Sequence, residues 1–387
     1  MLRKPISISP RKTVSGSHKI MFFHLIVTDD CNLCCSYCRA KMFEEEDPAG
    51  GTPGTIDETI AETLDYPLED LYRFLAKDPD CVLTFIGGEP LLRADIVTEI
   101  MDHAPVSRFM LQTNGTRLGE LPPAYANKFE TILISIDGCR ELTDGHRGCG
   151  IYDRVIAVTD LIRGRGYTGE LIARMTVAED TDIFASVTHL ADHFSSIHWQ
   201  MDADFTGDYS HRRFSEWKDS YNAGIVKLVD EWVSRIERTN TVPKWYPFLS
   251  TTEDMLFGGK SRLRCGSGYS NYSIMTNGWV APCPIMVGMA DYYAGHISSA
   301  VPLNLPQIQI QEPCPSCDIY GFCGGRCLYS NIVRPWRENY TFVCDTVHAL
   351  HDALASQLPR LQTMIDEGKL TRESFAHTRY NGCEIIP

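Results

Sequence analysis

The chain has 387 residues, of which 43% are hydrophobic and 22% are charged, as is ordinary for a globular protein with one large and one smaller domain. Its formal net charge of -14 argues against a surface for nucleic acid or anionic membrane, because either would need a basic patch. The apolar run 20–27 is too short to span a bilayer, and residues 1–19 lack the apolar segment of a secretion signal. We therefore expect a cytoplasmic protein.

Short apolar runs alternate with amphipathic stretches over residues 21–205. The predicted strands are 22–28, 82–86, 108–112, 132–136, 172–177 and 197–201, with predicted helices at 64–76 and 151–162. Strand–helix alternation repeated about six times predicts an α/β fold with a parallel sheet, most simply an open or partial barrel. Functional loops are expected at the carboxyl ends of its strands.

The remaining chain divides by composition. Residues 1–20 are an N-terminal extension, and residues 206–261 read as a connector with a helix at 217–232 that the prolines of 243–247 interrupt. Residues 262–345 are rich in Gly, Cys and Pro with little periodicity, so we expect metal rather than a hydrophobic core to organise them. Residues 346–387 hold a final predicted helix, 347–358, and a tail.

Ten of the 15 cysteines fall into two spaced sets. The first, Cys31, Cys35 and Cys38, is a C-x3-C-x2-C run directly after the first predicted strand. An iron–sulfur cubane normally takes four thiolates, so a set of three leaves one iron open to a substrate or cofactor. A zinc knuckle with Cys34 as the fourth ligand is the alternative, although adjacent Cys34 and Cys35 suit one tetrahedral ion poorly. The spacing favours iron–sulfur.

Three short motifs follow the next predicted strands, and an arginine lies downstream of the last motif. They are Gly87-Gly88-Glu89-Pro90, Thr113-Asn114-Gly115 and Ser135-Ile136-Asp137-Gly138, with Arg147 in His146-Arg147-Gly148. Taken singly, Gly87–Pro90 also fits an ordinary turn, Ser135 and Asp137 also fit strand-end caps, and Arg147 also fits a surface arginine. In this order behind the cysteine loop, they resemble the motifs of the radical S-adenosylmethionine (radical SAM) superfamily.

The resemblance implies a partial (β/α)6 TIM-like barrel and a cofactor site. The Cys31, Cys35 and Cys38 cluster would chelate S-adenosylmethionine (SAM) through its open iron, and reductive cleavage would give a 5′-deoxyadenosyl radical. The glycines would let backbone carbonyls approach the SAM ammonium, and Glu89 would suit the same group. The implied SAM contacts are Gly87, Gly88, Glu89, Pro90, Asn114, Ser135, Asp137 and Arg147, the arginine at the methionyl carboxylate.

The second cysteine set resembles a SPASM domain, a module that holds two auxiliary [4Fe–4S] clusters. Its members are Cys265, Cys283, Cys314, Cys317, Cys323, Cys327 and Cys344. The resemblance implies a distal cluster on Cys314, Cys317, Cys323 and Cys344, and a nearer one on Cys265, Cys283 and Cys327. With the first loop this gives three [4Fe–4S] clusters; disulfides or zinc are the alternatives.

Two positions of this region, Asn271 and Pro284, depart from patterns in the family. Asn271 stands where some SPASM proteins carry a further cysteine, which leaves the nearer cluster open or completed from elsewhere. Cys383 is one possible donor, although an incidental tail thiol is the favoured interpretation. Pro284 stands where sulfatase-maturing members carry an aspartate, which argues against formylglycine formation.

Gln200, Asp202 and Asp204 follow the last predicted barrel strand and are candidates for substrate contact. The resemblance implies oxidative modification of a peptide or protein, for example a thioether or carbon–carbon crosslink. It also implies reduced ferredoxin or flavodoxin as electron donor, and a separate leader-recognition protein is an open option. Two alternatives remain: a small-molecule radical SAM oxidase or dehydrogenase, and a multi-cluster electron carrier.

Overall fold

A computed structural model describes residues 8–9, 20–38, 55–202, 214–332, 340–379 and 386–387. The strands are β1 (Ile8–Ser9), β2 (Phe22–Ile26), β3 (Val82–Ile86), β4 (Arg108–Thr113), β5 (Phe129–Ser135), β6 (Glu170–Val177), β7 (Ser196–Met201), β8 (Lys244–Trp245), β9 (Asn271–Ile274), β10 (Trp279–Ala281), β11 (Gly295–His296) and β12 (Gln307–Ile308). The helices are α1 (Leu68–Leu75), α2 (Ala94–His103), α3 (Pro123–Ala126), α4 (Arg140–Arg147), α5 (Ile151–Gly164), α6 (Ile183–Leu190), α7 (Phe214–Thr239), α8 (Tyr246–Phe257), α9 (Tyr320–Cys323), α10 (Leu328–Ile332) and α11 (Tyr340–Asp366).

The chain folds into two compact units. Unit 1 comprises Met1–Ile134, Arg154–Glu170 and Gly266–Gln311, and unit 2 comprises Ser135–Asp153, Leu171–Cys265 and Glu312–Pro387. The predicted domains are the continuous segments 1–20, 21–205, 206–261, 262–345 and 346–387, whereas each compact unit combines segments that are distant in the sequence. The predicted domain division stays a prediction.

Unit 1 is built on a mostly parallel sheet with the strand order β11-β10-β9-β2-β3-β4-β5. Strands β9, β2, β3, β4 and β5 run parallel, and β10 and β11 are antiparallel additions at one edge. All five residues of β3 are buried, as expected for a strand that is covered on both faces. The carboxyl ends of β2, β3 and β4 therefore lie side by side, which places the loops that follow them together.

Unit 2 combines the parallel strands β6, β7 and β8 with long helices. One face of β7 carries Trp199, whose ring meets Phe248 of α8 edge-on at 5.1 Å, and Trp232 of α7 contacts the same ring at 5.6 Å. Helix α11 packs along α7, and Arg360 of α11 pairs with Asp230 and Glu237 of α7. Aromatic side chains thus join β7, α7 and α8, and α11, the helix that carries Cys344, packs against α7 and α8.

The six predicted barrel strands are all present as β2 to β7, with bounds shifted by up to three residues. The expectation that metal rather than a hydrophobic core organises 262–345 was wrong for residues 271–274, because β9 extends the unit 1 sheet beside β2 over four residue pairs. Strand β9 was missed because it is only four residues long and buries polar Asn271 and Ser273, which removes the apolar signal. Pro247 also lies in the first turn of α8 rather than outside a helix, a position that proline tolerates.

Candidate functional site

The first cysteine loop directly follows β2, as the sequence predicted. Cys31 and Cys38 are exposed and Cys35 is half-buried, while the Cys38 N–H donates to the Cys35 carbonyl at 3.0 Å in a tight turn. The Cys31 sulfur accepts from the Leu33 N–H at 3.4 Å. Three thiols on one short, accessible turn are a suitable donor set for an iron–sulfur cluster with one open iron.

The Gly87–Pro90 loop is fastened directly to the residues that precede Cys31. The Gly88 N–H donates to the Thr28 carbonyl at 2.8 Å, and the Glu89 N–H donates to the Asp30 carbonyl at 2.7 Å. A Cβ atom at Gly88 would lie 2.2 Å from the Asp30 carbonyl oxygen, and one at Gly87, whose φ is +152°, would lie 2.2 Å from that of Thr28. Both glycines are therefore required because the backbone of Thr28 and Asp30 approaches them closely. From the sequence, the glycines were expected to allow a close approach of backbone carbonyls to SAM instead.

Glu89 serves a structural role inside unit 1. The residue is fully buried, and its carboxylate accepts from the Leu91 N–H, the Thr113 hydroxyl and the Asn114 N–H at 3.0, 2.8 and 2.7 Å. Burial raises the pKa of the carboxyl, and these three hydrogen bonds oppose that rise. Glu89 thus joins the end of β3 to the end of β4; its contact with a SAM ammonium remains a prediction.

Asn114 links the third motif to the cysteine loop. Its side-chain amide donates to the Asn32 side chain at 3.0 Å and approaches the Cys31 sulfur at 3.8 Å. Its side-chain oxygen accepts from the Thr116 N–H at 2.9 Å. The structure therefore brings the cysteine loop, the Gly87–Pro90 loop and the Asn114 turn together at one edge of the unit 1 sheet.

Asp137 and Arg147 form a buried ion pair in unit 2. The guanidinium donates from Nε and Nη2 to the two carboxylate oxygens at 2.8 and 2.9 Å, and both residues are buried. The Asp137 carboxylate also accepts from the Thr176 N–H at 3.0 Å. Although burial opposes it, the Arg147 charge and these hydrogen bonds lower the pKa of Asp137 to about 2. The Arg147 guanidinium therefore uses two of its N–H groups to hold the Asp137 carboxylate. Ser135 lies half-buried at the end of β5.

His146 and Asp180 extend this ion pair, and the sequence analysis missed both. His146 is buried, with Nδ1 3.3 Å from Asp137 and Nε2 2.9 Å from Asp180. The hydrogen bond to Asp137 raises the pKa of the imidazole, although burial opposes it. The one available signal was the position of His146 directly before Arg147 in the sequence.

The substrate candidates lie at the end of β7. Gln200 is half-buried and accepts from an Arg174 guanidinium at 3.2 Å, and the Asp202 N–H donates to the Val177 carbonyl at 2.7 Å. Asp204 lies outside the described residues, as does Cys383. Arg174 is a further polar group of this face that the sequence did not indicate.

Four cysteines of the second set gather in unit 2. Desolvation, together with the neighbouring thiols Cys323 and Cys317, raises the pKa of Cys314 to about 11. Desolvation also raises the pKa of Cys344 to about 12, with contributions from Cys323, Cys314 and Cys317. Each of these two thiols is thus influenced by neighbouring thiols of the same set. Thiols that disfavour one another's ionisation need either protons or a metal, and metal binding requires thiolates. This donor set fits an iron–sulfur cluster.

Three polar side chains lie beside this array. The Asn331 amide approaches the Cys314 sulfur at 3.5 Å, and Cys317 lies within 4.8 Å of Asp318 and His348. The fourteen cysteines of the described chain are all free, which leaves the disulfide alternative without support there. Cys327 is half-buried in unit 2, buried Cys265 belongs to the same unit, and buried Cys283 belongs to unit 1. Their predicted common cluster stays a prediction.

Comparison with known proteins gives one family match and several partial relatives. Residues 25–182 match the sequence model described as the Radical SAM superfamily. A 7-carboxy-7-deazaguanine synthase of Methanothermobacter thermautotrophicus is 29% identical over 35% of this chain and 54% of its own. An AdoMet-dependent heme synthase of Nitratidesulfovibrio vulgaris is 24% identical over 51% of this chain and 52% of its own. The chain thus spans about half the length of these curated relatives.

Solved structures resemble a larger share of the chain. A tagged form of anSMEcpe with bound AdoMet (another name for SAM) aligns with a TM-score of 0.66 over 93% of this chain and all of its own, at 18% identity. Streptococcus suis SuiB bound to precursor peptide SuiA aligns with a TM-score of 0.50 over 80% of this chain and 72% of its own, at 14% identity. These likenesses confirm the predicted fold class: a mixed α/β fold dominated by parallel strands, with a partial barrel and a cysteine-rich C-terminal region.

Proposed function

Residues 25–182 form a radical SAM domain, and from this premise we propose that the chain is a radical SAM enzyme that oxidatively modifies a peptide or protein. The observation that carries the proposal is the meeting of Cys31, Glu89 and Asn114 at one sheet edge, through hydrogen bonds of 2.7 to 3.8 Å. A protein that only carries electrons does not need the Gly87–Pro90 and Thr113–Gly115 motifs beside its cluster loop.

Each residue set has a distinct task in this proposal. Cys31, Cys35 and Cys38 hold a [4Fe–4S] cluster that, with SAM bound, supplies the 5′-deoxyadenosyl radical by one-electron cleavage of the S–C5′ bond. Gly87 and Gly88 fix the position of that loop. The remaining implied SAM contacts are Pro90, Asn114, Ser135, Asp137 and Arg147, with Asp137 holding the Arg147 guanidinium in place.

A peptide substrate is favoured by how much of the chain each comparison covers. The small-molecule enzymes match 35 to 51% of this chain. The structure titled native anSMEcpe with bound AdoMet and Cp18Cys peptide aligns over 89% of it, and SuiB with its precursor peptide over 80%. The C-terminal cysteine region is thus shared with peptide-binding structures. We propose a peptide substrate, two auxiliary clusters, ferredoxin or flavodoxin as donor, and a cytoplasmic location.

The location proposal is compatible with the helices. Among the helices of the described ranges, none has both the length and the apolar character required to cross a bilayer. The exposed cysteine loop further suits a reducing compartment, since accessible low-potential clusters and thiols are oxidised readily elsewhere.

Anaerobic reconstitution with iron and sulfide, followed by iron quantitation and a SAM-cleavage assay with dithionite, tests the proposal. We expect about twelve irons per chain, three cubanes, and formation of 5′-deoxyadenosine. Zinc in place of iron, or a full iron load without SAM cleavage, contradicts the enzyme proposal and leaves a structural or electron-carrying protein. Co-expression with a short open reading frame beside the gene then tests the peptide substrate, with loss of two hydrogen atoms from the peptide as the expected mass change.

A further inference from the structure

Three different donor atoms converge at Cys317, Asp318 and His348 in unit 2. The thiol sulfur, a carboxylate oxygen and one imidazole nitrogen all lie within 4.8 Å of one another. Cys317 and His348 are half-buried, and Asp318 is exposed. His348 belongs to α11, whereas the other two residues precede α9. The fold therefore brings together donors that are distant in the sequence.

The spacing of these donors fits a single tetrahedral ion. The Cys317 sulfur lies 3.5 Å from Oδ1 of Asp318. Metal bonds of about 2.3 Å to sulfur and about 2.1 Å to oxygen place two such atoms about 3.6 Å apart around a tetrahedral Zn²⁺ ion. A thiol hydrogen bond to the carboxylate explains the same distance, but it does not explain the imidazole nitrogen beside both groups.

Backbone contacts and helix packing support this arrangement. The Ile319 N–H donates to Oδ1 of Asp318 at 2.9 Å, which orients the carboxylate. His348 lies four residues after Cys344 on α11, so both side chains belong to the same face of the helix. Helix α11 packs against α7 and α8, which holds this face in position. Groups that orient metal ligands in this way strengthen metal binding.

The donor set determines which ions suit the site. A thiolate and an imidazole are common ligands of Zn²⁺ and Fe²⁺, whereas Mg²⁺ and Ca²⁺ take oxygen ligands. The thiolate and the carboxylate together carry two negative charges, which balance one divalent cation. Three protein donors leave the fourth position of a tetrahedral ion for water.

We propose that Cys317, Asp318 and His348 form a mononuclear site for Zn²⁺ or Fe²⁺ in the chain that lacks its auxiliary cluster. Binding converts the Cys317 thiol to a thiolate and releases one proton to solvent, and no electron is transferred. Because Cys317 is also a proposed cluster ligand, the single ion and the cluster are alternative occupants of this thiolate. The inference goes beyond the proposed function, since the three donors need neither the cluster nor SAM.

Protection of the Cys317 thiol from alkylation tests the site, because a metal-bound thiolate is shielded from iodoacetamide. The full-length chain is prepared without clusters, stripped of metal with a chelator and titrated anaerobically with Zn²⁺. Peptide mass spectrometry then measures alkylation at Cys317 alone. The background carries Cys314→Ala, Cys323→Ala and Cys344→Ala, which removes the proposed cluster site and keeps the three donors.

Three further substitutions are compared in this background. His348→Ala and Asp318→Asn each remove one donor of the proposed site. His351→Ala is the matched control, because His351 lies on the same helix with its Nδ1 2.9 Å from the Asp352 carboxylate. Exposed Cys149 is the internal control, and its alkylation rate should be the same with and without zinc.

We expect zinc at about ten times its Kd to slow alkylation of Cys317 about 10-fold in the background chain, since about one tenth of the thiols then remains free. His348→Ala should require at least about 10-fold more zinc for the same protection, because one of three ligands is lost. Asp318→Asn should also require more zinc, and His351→Ala should match the background.

Absence of zinc protection at Cys317 overturns the inference, and so does protection that His348→Ala leaves unchanged. If circular dichroism shows that the alanine background is unfolded, Cys314→Ser, Cys323→Ser and Cys344→Ser replace it, and the same outcomes decide. SAM cleavage is a separate result. Zinc protection in a chain whose wild type does not cleave SAM overturns the proposed function alone, whereas SAM cleavage without zinc protection overturns this site alone.

Discussion

The two cysteine sites differ in how the protein treats its thiols. In the first loop Cys31 and Cys38 are exposed, and the fixing contacts come from backbone groups and Asn114. In the second array no member is exposed. An exposed three-thiol loop suits a cluster with an exchangeable ligand such as SAM. A half-buried four-thiol array suits a closed cluster whose potential the protein sets.

The sharpest way to separate the two sites is to remove one of them. In a Cys31→Ala, Cys35→Ala, Cys38→Ala chain we expect SAM cleavage to fall below detection and iron to fall from about twelve to about eight per chain. The auxiliary clusters remain because their ligands are elsewhere in the fold. Iron quantitation and 5′-deoxyadenosine analysis measure both effects. Exposed Cys149 gives the control, Cys149→Ala, with unchanged iron and activity; loss of all iron from the triple variant would contradict independent sites.

The next largest effect comes from the backbone contact behind the first loop. Gly88→Ala would place a Cβ atom 2.2 Å from the Asp30 carbonyl oxygen, so the cysteine loop must shift. We expect SAM cleavage to fall by about 100-fold or more, since ångström displacements at reacting groups have effects of that size. Gly164→Ala is the control, because a Cβ there meets nothing within 4 Å. Wild-type cleavage by Gly88→Ala would show that the loop tolerates displacement.

A smaller effect, on stability rather than chemistry, is expected at the buried ion pair. Asp137→Asn leaves the Arg147 charge buried without its partner, which costs about 3 kcal/mol of unfolding free energy. Denaturant unfolding of the metal-free chain measures the cost. Asp95 forms an exposed pair with Arg93 through two hydrogen bonds of 3.1 Å, so Asp95→Asn is the matched control with a cost below about 1 kcal/mol. Equal costs for the two variants would contradict the importance of burial.

The same pair predicts a pH dependence. The pKa of Asp137 is lowered to about 2 in the folded chain, below the ordinary carboxyl value of about 3.9 in the unfolded chain. Its contribution to stability is therefore complete above pH about 4 and is lost as the pH falls towards about 2. The same carboxylate raises the pKa of His146, so the difference in unfolding free energy between wild type and Asp137→Asn should grow as the pH falls from above 7 to about 6 and His146 becomes protonated. The difference should then shrink as the pH falls from about 4 towards 2. A difference that stays constant below pH about 4 would exclude this assignment.

The smallest effect is expected where α11 lies on α7. Arg360→Gln removes partly exposed pairs with Asp230 and Glu237, at a cost below about 1 kcal/mol. Iron content should stay at the wild-type value, because α11 also packs against α7 and α8 through its other residues. A thermal unfolding scan and iron quantitation measure both. Loss of auxiliary iron would show that the array depends on this helix contact far more than its packing indicates.

The sequence alone predicted the parts of the molecule that have strong local patterns. Six apolar runs separated by amphipathic stretches indicated the strands β2 to β7, and cysteine spacing indicated both candidate arrays. These features are readable because the alternation of buried strands and helices, and the spacing of thiols on tight turns, are local consequences of chain geometry. The strand ends also predicted where Gly87, Asn114 and Ser135 would lie.

Only the tertiary structure decided what several of these residues contact. Glu89 joins two strand ends, Asp137 holds Arg147 and His146, and β9 extends the sheet beside β2, all through partners distant in sequence. Arg326 was unremarkable in the sequence and is a strained, buried cation in the structure. Burial and backbone conformation depend on the whole fold, because a side chain's environment is set by elements that pack from elsewhere in the chain. For this reason the spacing of the cysteines in the sequence indicated both candidate arrays, whereas only the folded structure showed the surroundings of the thiols.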